Sequence, residues 1–127
     1  MAVLFGHYQN IHHIKKTDKT EHISNPLIEL PQRLPNENNV YHLFPIIVKE
    51  GKRDALHDYL EQHGVGTVIH YPIAPHKQEC YAKADWNNPQ LNLPITENLA
   101  KQELSLPISQ YLMKNQLRYV VERINLF

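Results

Sequence analysis

The densest group of side chains able to do chemistry lies in residues 69–81, IHYPIAPHKQECY. Its members are His70, Tyr71, His76, Cys80 and Tyr81. Histidine and tyrosine both donate and accept hydrogen bonds, which suits them to bind the hydroxyl groups of a substrate. Pro72 and Pro75 stiffen the loop, because proline fixes its own φ and holds the preceding residue extended. A strand end followed by a stiff loop would hold His70 and Tyr71 in place, so we expect a substrate-binding site here.

Two other interpretations of this stretch stay open. The first is an ordinary surface connection that carries amphipathic side chains. The second is a metal-dependent or nucleophilic hydrolase that uses His70, His76 and Cys80, although this spacing offers fewer ligands than a loop metal site needs. Cys80 follows His76 by four residues, so the two would meet on a helix, but no third group that would orient them is evident. Zinc analysis of the purified protein tests the hydrolase.

Length and charge limit the function classes. The 127 residues fit one domain, and 13 Lys and Arg balance 13 Asp and Glu, so we expect neither nucleic acid nor membrane as a partner. One cysteine excludes an internal disulfide and is compatible with a reducing compartment. The N-terminal residues lack the basic segment and apolar length of a signal peptide, and no apolar run has membrane-spanning length. We therefore expect a cytoplasmic protein.

A strand–helix–strand unit is predicted to position the site. Residues 40–48 are rich in β-forming side chains, although Pro45 implies an edge, a bulge or an N–H that needs no partner. A helix is predicted over 52–63, because its apolar residues form one stripe and Gly64 suits its end. A strand is predicted over 65–71. This order favours either parallel pairing or a split arrangement.

The rest of the chain predicts further helices on the same sheet. A long loop over 72–94 precedes a short helix over 97–103, with Thr96 as its cap. A strand over 104–107 and an amphipathic helix over 113–124 follow. The predicted fold class is therefore an α/β (α+β) small domain of the order β-α-β-α-β-α, with helices packed on a small sheet.

Residues 1–24 form a poorly defined N-terminal segment whose apolar spacing allows a helix. His12, His13 and His22 resemble a metal tract, but adjacent histidines face different sides of a helix and no carboxylate or cysteine has matching spacing. We interpret them as a polar helix end. The folded domain is expected over 25–127.

An ordered set of short motifs resembles the C-terminal domain of the DegT/DnrJ/EryC1/StrS family, the pyridoxal-phosphate-dependent sugar aminotransferases. The likeness is strongest to the enzymes that aminate C3 of dTDP-3-oxo-6-deoxyhexoses, and it covers residues 25–127. Any one motif is weak, but their order is specific. The motifs are 41–44 (YHLF), 64–67 (GVGT), 70–76 (HYPIAPH), Tyr81, 93–97 (LPITE) and 104–109 (LSLPIS).

The resemblance implies a fragment of a longer enzyme. Family members carry the Schiff-base lysine in a large N-terminal domain, and none of the nine lysines here follows its Ser-Phe-x-x-x-Lys pattern. We therefore expect no catalytic and no cofactor-binding residue in this chain. Without a large domain or companion chain it should be inactive. In the complete enzyme, glutamate would donate the amino group and a dTDP-sugar would accept it.

The resemblance also assigns the site residues. His70 and Tyr71 would bind the hexose or shape its pocket, and His76 would belong to the same substrate-binding site by holding the loop. Tyr81 and Trp86 are interpreted as loop anchors. The sequence departs from the family at Met113, where a capping Thr or Ser is usual, and at Ala74, where proline is common.

The alternative function is a non-catalytic binding or oligomerisation module that kept the fold. A small domain without its large domain would expose an apolar face, which favours association. We therefore expect a homo-oligomer, in the simplest case a dimer.

Overall fold

The computed structural model describes residues 23–32, 42–81, 83, 91–109 and 111–127. Its strands and helices are β1 (Ile28–Glu29), β2 (Phe44–Val48), α1 (Arg53–Gln62), α2 (Pro94–Gln102), β3 (Glu103–Leu106) and α3 (Lys114–Leu126). Two 3-10 turns, Pro75–Lys77 and Glu79–Tyr81, lie in the loop between α1 and α2. The possible helix within 1–24, with its histidines 12, 13 and 22, and Trp86 lie outside the described residues. Among the described helices, none is long and apolar enough to cross a membrane.

The strands form an antiparallel sheet in the order β1-β2-β3. Val68 adds an isolated antiparallel bridge to Ser105, on the edge of β3 that β2 does not occupy. The segment around Val68 therefore runs parallel to β2, with β3 between them, which is the split arrangement. Direct parallel pairing is wrong, because β2 pairs antiparallel with both neighbours. The predicted small α+β domain is confirmed.

Pro45 fits within the central strand because of where β1 ends. Lys49 donates its N–H to the Leu27 carbonyl at 2.8 Å, so the backbone N–H and C=O groups of the odd-numbered residues of β2 point toward β1. β1 ends at Glu29, which lies opposite Ile47. The nitrogen of Pro45 thus faces a side on which the pairing has already stopped, and the missing N–H removes no sheet hydrogen bond.

One face of the sheet packs against α1 and α3. Along β2, the buried residues Phe44, Ile46 and Val48 alternate with less buried ones, as expected for a strand with a single core face. The predicted stripes of α1 and α3 are confirmed as core faces. The residues that α1, β3 and α3 contribute to this core are Leu56, Leu60, Leu104, Leu106, Leu117, Val120, Val121 and Ile124.

The start of α3 offers a test of helix capping. Met113 has the extended backbone of an N-cap residue, with φ −80° and ψ 156°, but its sulfur is at best a weak acceptor. Gln116 supplies the reciprocal contact, since its Oε1 accepts the Met113 N–H at 2.9 Å. We expect Met113→Ser to raise the free energy of unfolding by about 1 kcal/mol, because a hydroxyl is a stronger acceptor for the backbone N–H of the first turn than a thioether sulfur. Urea unfolding measures this. Met113→Ala is the matched control, and a serine variant no more stable than the alanine variant would contradict the prediction.

Candidate substrate-binding site

The segment before His70 joins the sheet through a single bridge rather than a strand. Val68 and Ser105 exchange backbone hydrogen bonds of 3.1 and 2.8 Å. At the next hydrogen-bonding position, two residues before Val68, the register would pair Gly66 with Pro107, which has no N–H to donate. The predicted strand over 65–71 is therefore wrong as a strand, and only Val68 pairs.

On the other side of the bridge, a side chain replaces the strand partner. The same register would place His70 opposite Glu103. The His70 N–H instead donates to the Glu103 carboxylate, at 2.8 Å from Oε2. This carboxylate ends the pairing and holds the His70 backbone at the sheet edge.

The imidazole of His70 belongs to the same hydrogen-bond chain. Its Nδ1 lies 3.0 Å from the Ser105 hydroxyl, which donates to Glu103 Oε1 at 2.6 Å. Glu103 thus contacts the backbone of His70 directly and its ring through the serine hydroxyl, and Nε2 takes part in none of these three hydrogen bonds.

Tyr71 lies beside His70 and faces outward. Its side chain is 67 % exposed, and its ring meets that of His70 edge-on, with centroids 6.4 Å apart. His70 is half-buried. A neutral Nε2 accepts a hydrogen bond, and a phenol both donates and accepts, so the pair suits a polyhydroxylated ligand.

His76 lies apart from this pair and holds the loop. It is 5 % exposed, and its Nε2 lies 3.0 Å from Glu97 Oε1. The same carboxylate oxygen is 3.7 Å from Lys77 Nζ and accepts the Leu93 N–H at 3.3 Å. The turn Pro75–Lys77 is thereby tied to the first turn of α2.

The start of α2 corrects one expectation. The helix begins at Pro94 after Leu93, so Thr96 lies inside the first turn and is not the cap. Proline suits the first helical position, where an N–H would have no helical partner.

At the C-terminal end of α2, buried Arg53 donates from Nη1 to the Ala100 carbonyl at 3.1 Å. Two side chains from outside the helix, those of His76 and Arg53, thus hold α2, in which no residue is buried.

The pKa of Glu97 lies below its ordinary value of 4.5, chiefly because of the His76 hydrogen bond and next because of the Leu93 N–H. A carboxylate with a lowered folded-state pKa stabilises the folded state above its unfolded-state pKa, and the effect is lost as pH falls through the folded-state value. We expect Glu97→Gln to be less stable than the parent near neutral pH, and the difference to shrink as pH falls below 4.5. Denaturant unfolding along a pH series measures this. The control is Glu79→Gln at an exposed glutamate. A difference that stays constant with pH would contradict the prediction.

The hydrolase interpretation receives no support from the geometry. Cys80 is exposed, and its Sγ lies 3.8 Å from Gln78 Oε1. His76 and Cys80 occupy two separate 3-10 turns and not one helix. Ser105 gives its proton to a carboxylate and not to histidine, which is the reverse of a nucleophilic triad. Among the described residues, no three His, Cys, Asp or Glu side chains could together hold a metal ion.

Comparison with known proteins identifies the family. The DegT/DnrJ/EryC1/StrS aminotransferase family matches residues 7–125. The chain belongs to this family. A relative from Aneurinibacillus thermoaerophilus, a dTDP-3-amino-3,6-dideoxy-alpha-D-galactopyranose transaminase, is 41 % identical over 107 residues, which are 84 % of this chain and 28 % of the relative. A dTDP-3-amino-3,4,6-trideoxy-alpha-D-glucose transaminase from Streptomyces venezuelae is 37 % identical over 79 residues, 62 % of this chain and 20 % of that protein.

Two solved structures share the fold of this chain. DesV of S. venezuelae, in complex with a ketimine intermediate, superposes with a TM-score of 0.74 at 30 % identity, covering 94 % of this chain and 30 % of DesV. The Bacillus subtilis protein ntda, with bound cofactor PMP, gives a TM-score of 0.70 at 30 % identity over 97 % of this chain and 27 % of ntda. The chain thus spans less than a third of the relatives it matches.

The family's cofactor, pyridoxal phosphate, does not fit the described residues. A Schiff-base lysine needs a desolvated amine, but all six lysines in the described part of the chain are exposed. These are Lys49, Lys52, Lys77, Lys83, Lys101 and Lys114. The described residues therefore hold no lysine suited to the cofactor.

Sequence reasoning missed the residues that hold the site together. Glu103 was expected at the end of a helix, whereas it begins β3. From β3 the Glu103 carboxylate forms a hydrogen bond with His70, 33 residues earlier in the sequence, and the Ser105 hydroxyl forms another with the same residue. The available signal was the alternation of the strand, which places both side chains on one face. Glu97 was likewise missed as the partner of His76.

Proposed function

We propose that this chain acts as the C-terminal small domain of a pyridoxal-phosphate-dependent nucleotide-sugar aminotransferase. The reaction would pass an amino group from glutamate to a dTDP-keto-deoxyhexose. The observation that carries the proposal is the presentation of His70 and Tyr71. His70 is held at the sheet edge by two hydrogen bonds, to Glu103 and Ser105, which are themselves hydrogen-bonded to each other, and it lies next to an exposed phenol. The two relatives that are dTDP-sugar transaminases support the substrate class.

His70, Tyr71 and His76 have different tasks in this proposal. Nε2 of His70 accepts a hydrogen bond from a sugar hydroxyl, and the Tyr71 phenol binds a second polar group of the same sugar. His76 takes part through the loop, since its bond to Glu97 holds the turn that follows Tyr71. No catalytic residue is proposed in this chain. The large domain or a companion chain would supply the cofactor site, in a cytoplasmic enzyme.

The proposal is tested with a chimera. Residues 25–127 replace the equivalent segment of the A. thermoaerophilus transaminase, whose 41 % identity makes it a suitable host. We expect the chimera to interconvert the amino and keto forms of the dTDP-sugar with glutamate and 2-oxoglutarate. Tyr71→Phe should raise the KM for the sugar several-fold, because a hydrogen bond contributes about 1 kcal/mol. The control is Tyr111→Phe, at an 81 % exposed tyrosine far along the chain.

Two results would count against this function. One is a chimera that shows the absorbance of bound pyridoxal phosphate but lacks sugar amination. The other is a single stoichiometric lysine adduct after pyridoxal phosphate and borohydride are added to the 127-residue chain alone, because the chain would then build its own cofactor site. Mass spectrometry reads the adduct.

One observation favours a second candidate, the non-catalytic binding or oligomerisation module. Helix α2 buries none of its residues, and its Ile95 and Leu99 are 77 % and 47 % exposed. An apolar helix face of this kind favours association, in the simplest case between two copies. Sedimentation of the chain at tens of micromolar tests this, and a clean monomer would count against it.

A further inference from the structure

We infer that Ser105 and Glu103 are positioning residues that hold His70 as the Nδ1–H tautomer, so that its Nε2 accepts a hydrogen bond from a sugar hydroxyl. The ligand part of this inference rests on the proposed function. The tautomer part concerns the chain alone. Neither residue is expected to touch the sugar, since both act through the imidazole.

The argument for Ser105 begins with its backbone. Its N–H and C=O both bond to Val68, so the residue is anchored within the sheet and its side chain has a fixed origin. The residue is 4 % exposed, which leaves its hydroxyl to find partners within the protein. Its two partners are Glu103 Oε1 at 2.6 Å and His70 Nδ1 at 3.0 Å.

Glu103 determines which group donates and which accepts in this series of hydrogen bonds. An ionised carboxylate only accepts, so the serine must donate to it and is left to accept from the imidazole. The second carboxylate oxygen holds the His70 N–H at 2.8 Å. One glutamate therefore fixes both the backbone position of His70 and the ring nitrogen that carries the proton.

The expected consequence is that the site selects a ligand group that donates a hydrogen bond to His70 Nε2. In the neutral Nδ1–H form, Nε2 is an acceptor and suits a hydroxyl group, whereas the opposite tautomer would present an N–H and suit a carbonyl or phosphate oxygen.

The test on the free chain is a long-range 1H–15N correlation spectrum of histidine-labelled protein, at a pH where imidazole is neutral. The His70 signals are assigned by their loss in His70→Gln. We expect a protonated Nδ1 and an unprotonated Nε2 in the parent. Ser105→Ala should shift the ring toward the Nε2–H form, and Ser105→Thr, which keeps the hydroxyl on a β-branched side chain, should restore the parent pattern.

The chain contains its own control pair. His57 Nδ1 lies 2.6 Å from the Thr67 hydroxyl, in a second histidine–hydroxyl contact. Thr67→Val should change the His57 signals and leave those of His70 in place. In uniformly 15N-labelled protein, the Val68 amide signal reports whether the Ser105 bridge is intact in each variant. An Nε2–H ring in the parent, or an Nδ1–H ring that persists in Ser105→Ala, would overturn the inference.

Kinetics in the chimera separate positioning from a merely structural effect. Ser105→Ala should raise the KM for the sugar several-fold, and it should add nothing in the background of His70→Ala, because Ser105 acts through that ring. Additive effects of the two substitutions would overturn the positioning role. A chimera without any activity bears on the proposed function alone, since the tautomer is measured on the free chain.

Discussion

Leu104→Ala should lower the free energy of unfolding by about 3 kcal/mol, within the range of about 2 to 5 kcal/mol for buried leucines. Leu104 has no exposed surface and lies at the centre of β3, opposite Ile46 of β2. The substitution removes apolar contacts and leaves a cavity that a paired strand cannot close by moving. Domains are stable by only about 5 to 15 kcal/mol, so the loss is a large share of the total.

Urea unfolding followed by far-ultraviolet circular dichroism measures this loss. The matched control is Leu99→Ala on α2, where the leucine is 47 % exposed. We expect a change below about 1 kcal/mol there, as for most surface substitutions. Equal losses at the two positions would show that β3 is not the centre of the core.

Glu103→Ala should destabilise the fold by about 2 kcal/mol. The carboxylate accepts from the His70 N–H at 2.8 Å and from the Ser105 hydroxyl at 2.6 Å. Hydrogen bonds to a charged group contribute about 1.5 to 3 kcal/mol, and the loss leaves donors with no ready partner. Glu103 is half-buried, so water replaces part of the interaction, and we expect a loss of about 2 kcal/mol, below the simple sum of two such hydrogen bonds.

Glu103→Gln distinguishes charge from shape in this experiment. Its amide oxygen retains one acceptor, while its NH2 group faces a second donor, so we expect an intermediate loss of stability. Glu79→Ala, at an exposed glutamate in a 3-10 turn, serves as the surface control and should change stability by less than about 0.5 kcal/mol. A loss at Glu103 no larger than at Glu79 would contradict the hydrogen-bond chain.

The helices and the core could be predicted from the sequence because they depend on local periodicity. The stripe of α3 appears as Leu117, Val120, Val121 and Ile124, and all four are buried. The strand expected over 65–71 failed for a reason that periodicity does not report. Its pairing stops because Pro107 has no N–H to donate on one side, and a side chain replaces a carbonyl on the other.

The candidate site could be predicted from the sequence only in part. His70 and Tyr71 could be proposed as site residues because Pro72 and Pro75 follow them and because the resemblance to a family marked them. Their support was not predicted, because Glu103 and Ser105 reach His70 across more than thirty residues and depend on the register between β3 and the segment around Val68. Register between distant strands is a property of the packed sheet and not of any local window.

The attachment of α2 has a consequence for motion. Its ends are held by polar contacts, from His76 to Glu97 and from Arg53 to the Ala100 carbonyl, whereas the sheet with α1 and α3 is closed by apolar contacts. Elements with few buried apolar contacts open locally at a small fraction of the global unfolding free energy. We therefore expect the turn Pro75–Lys77 and α2 to open locally at a lower free energy than the sheet, so that the support of His70 stays closed while this neighbouring segment opens.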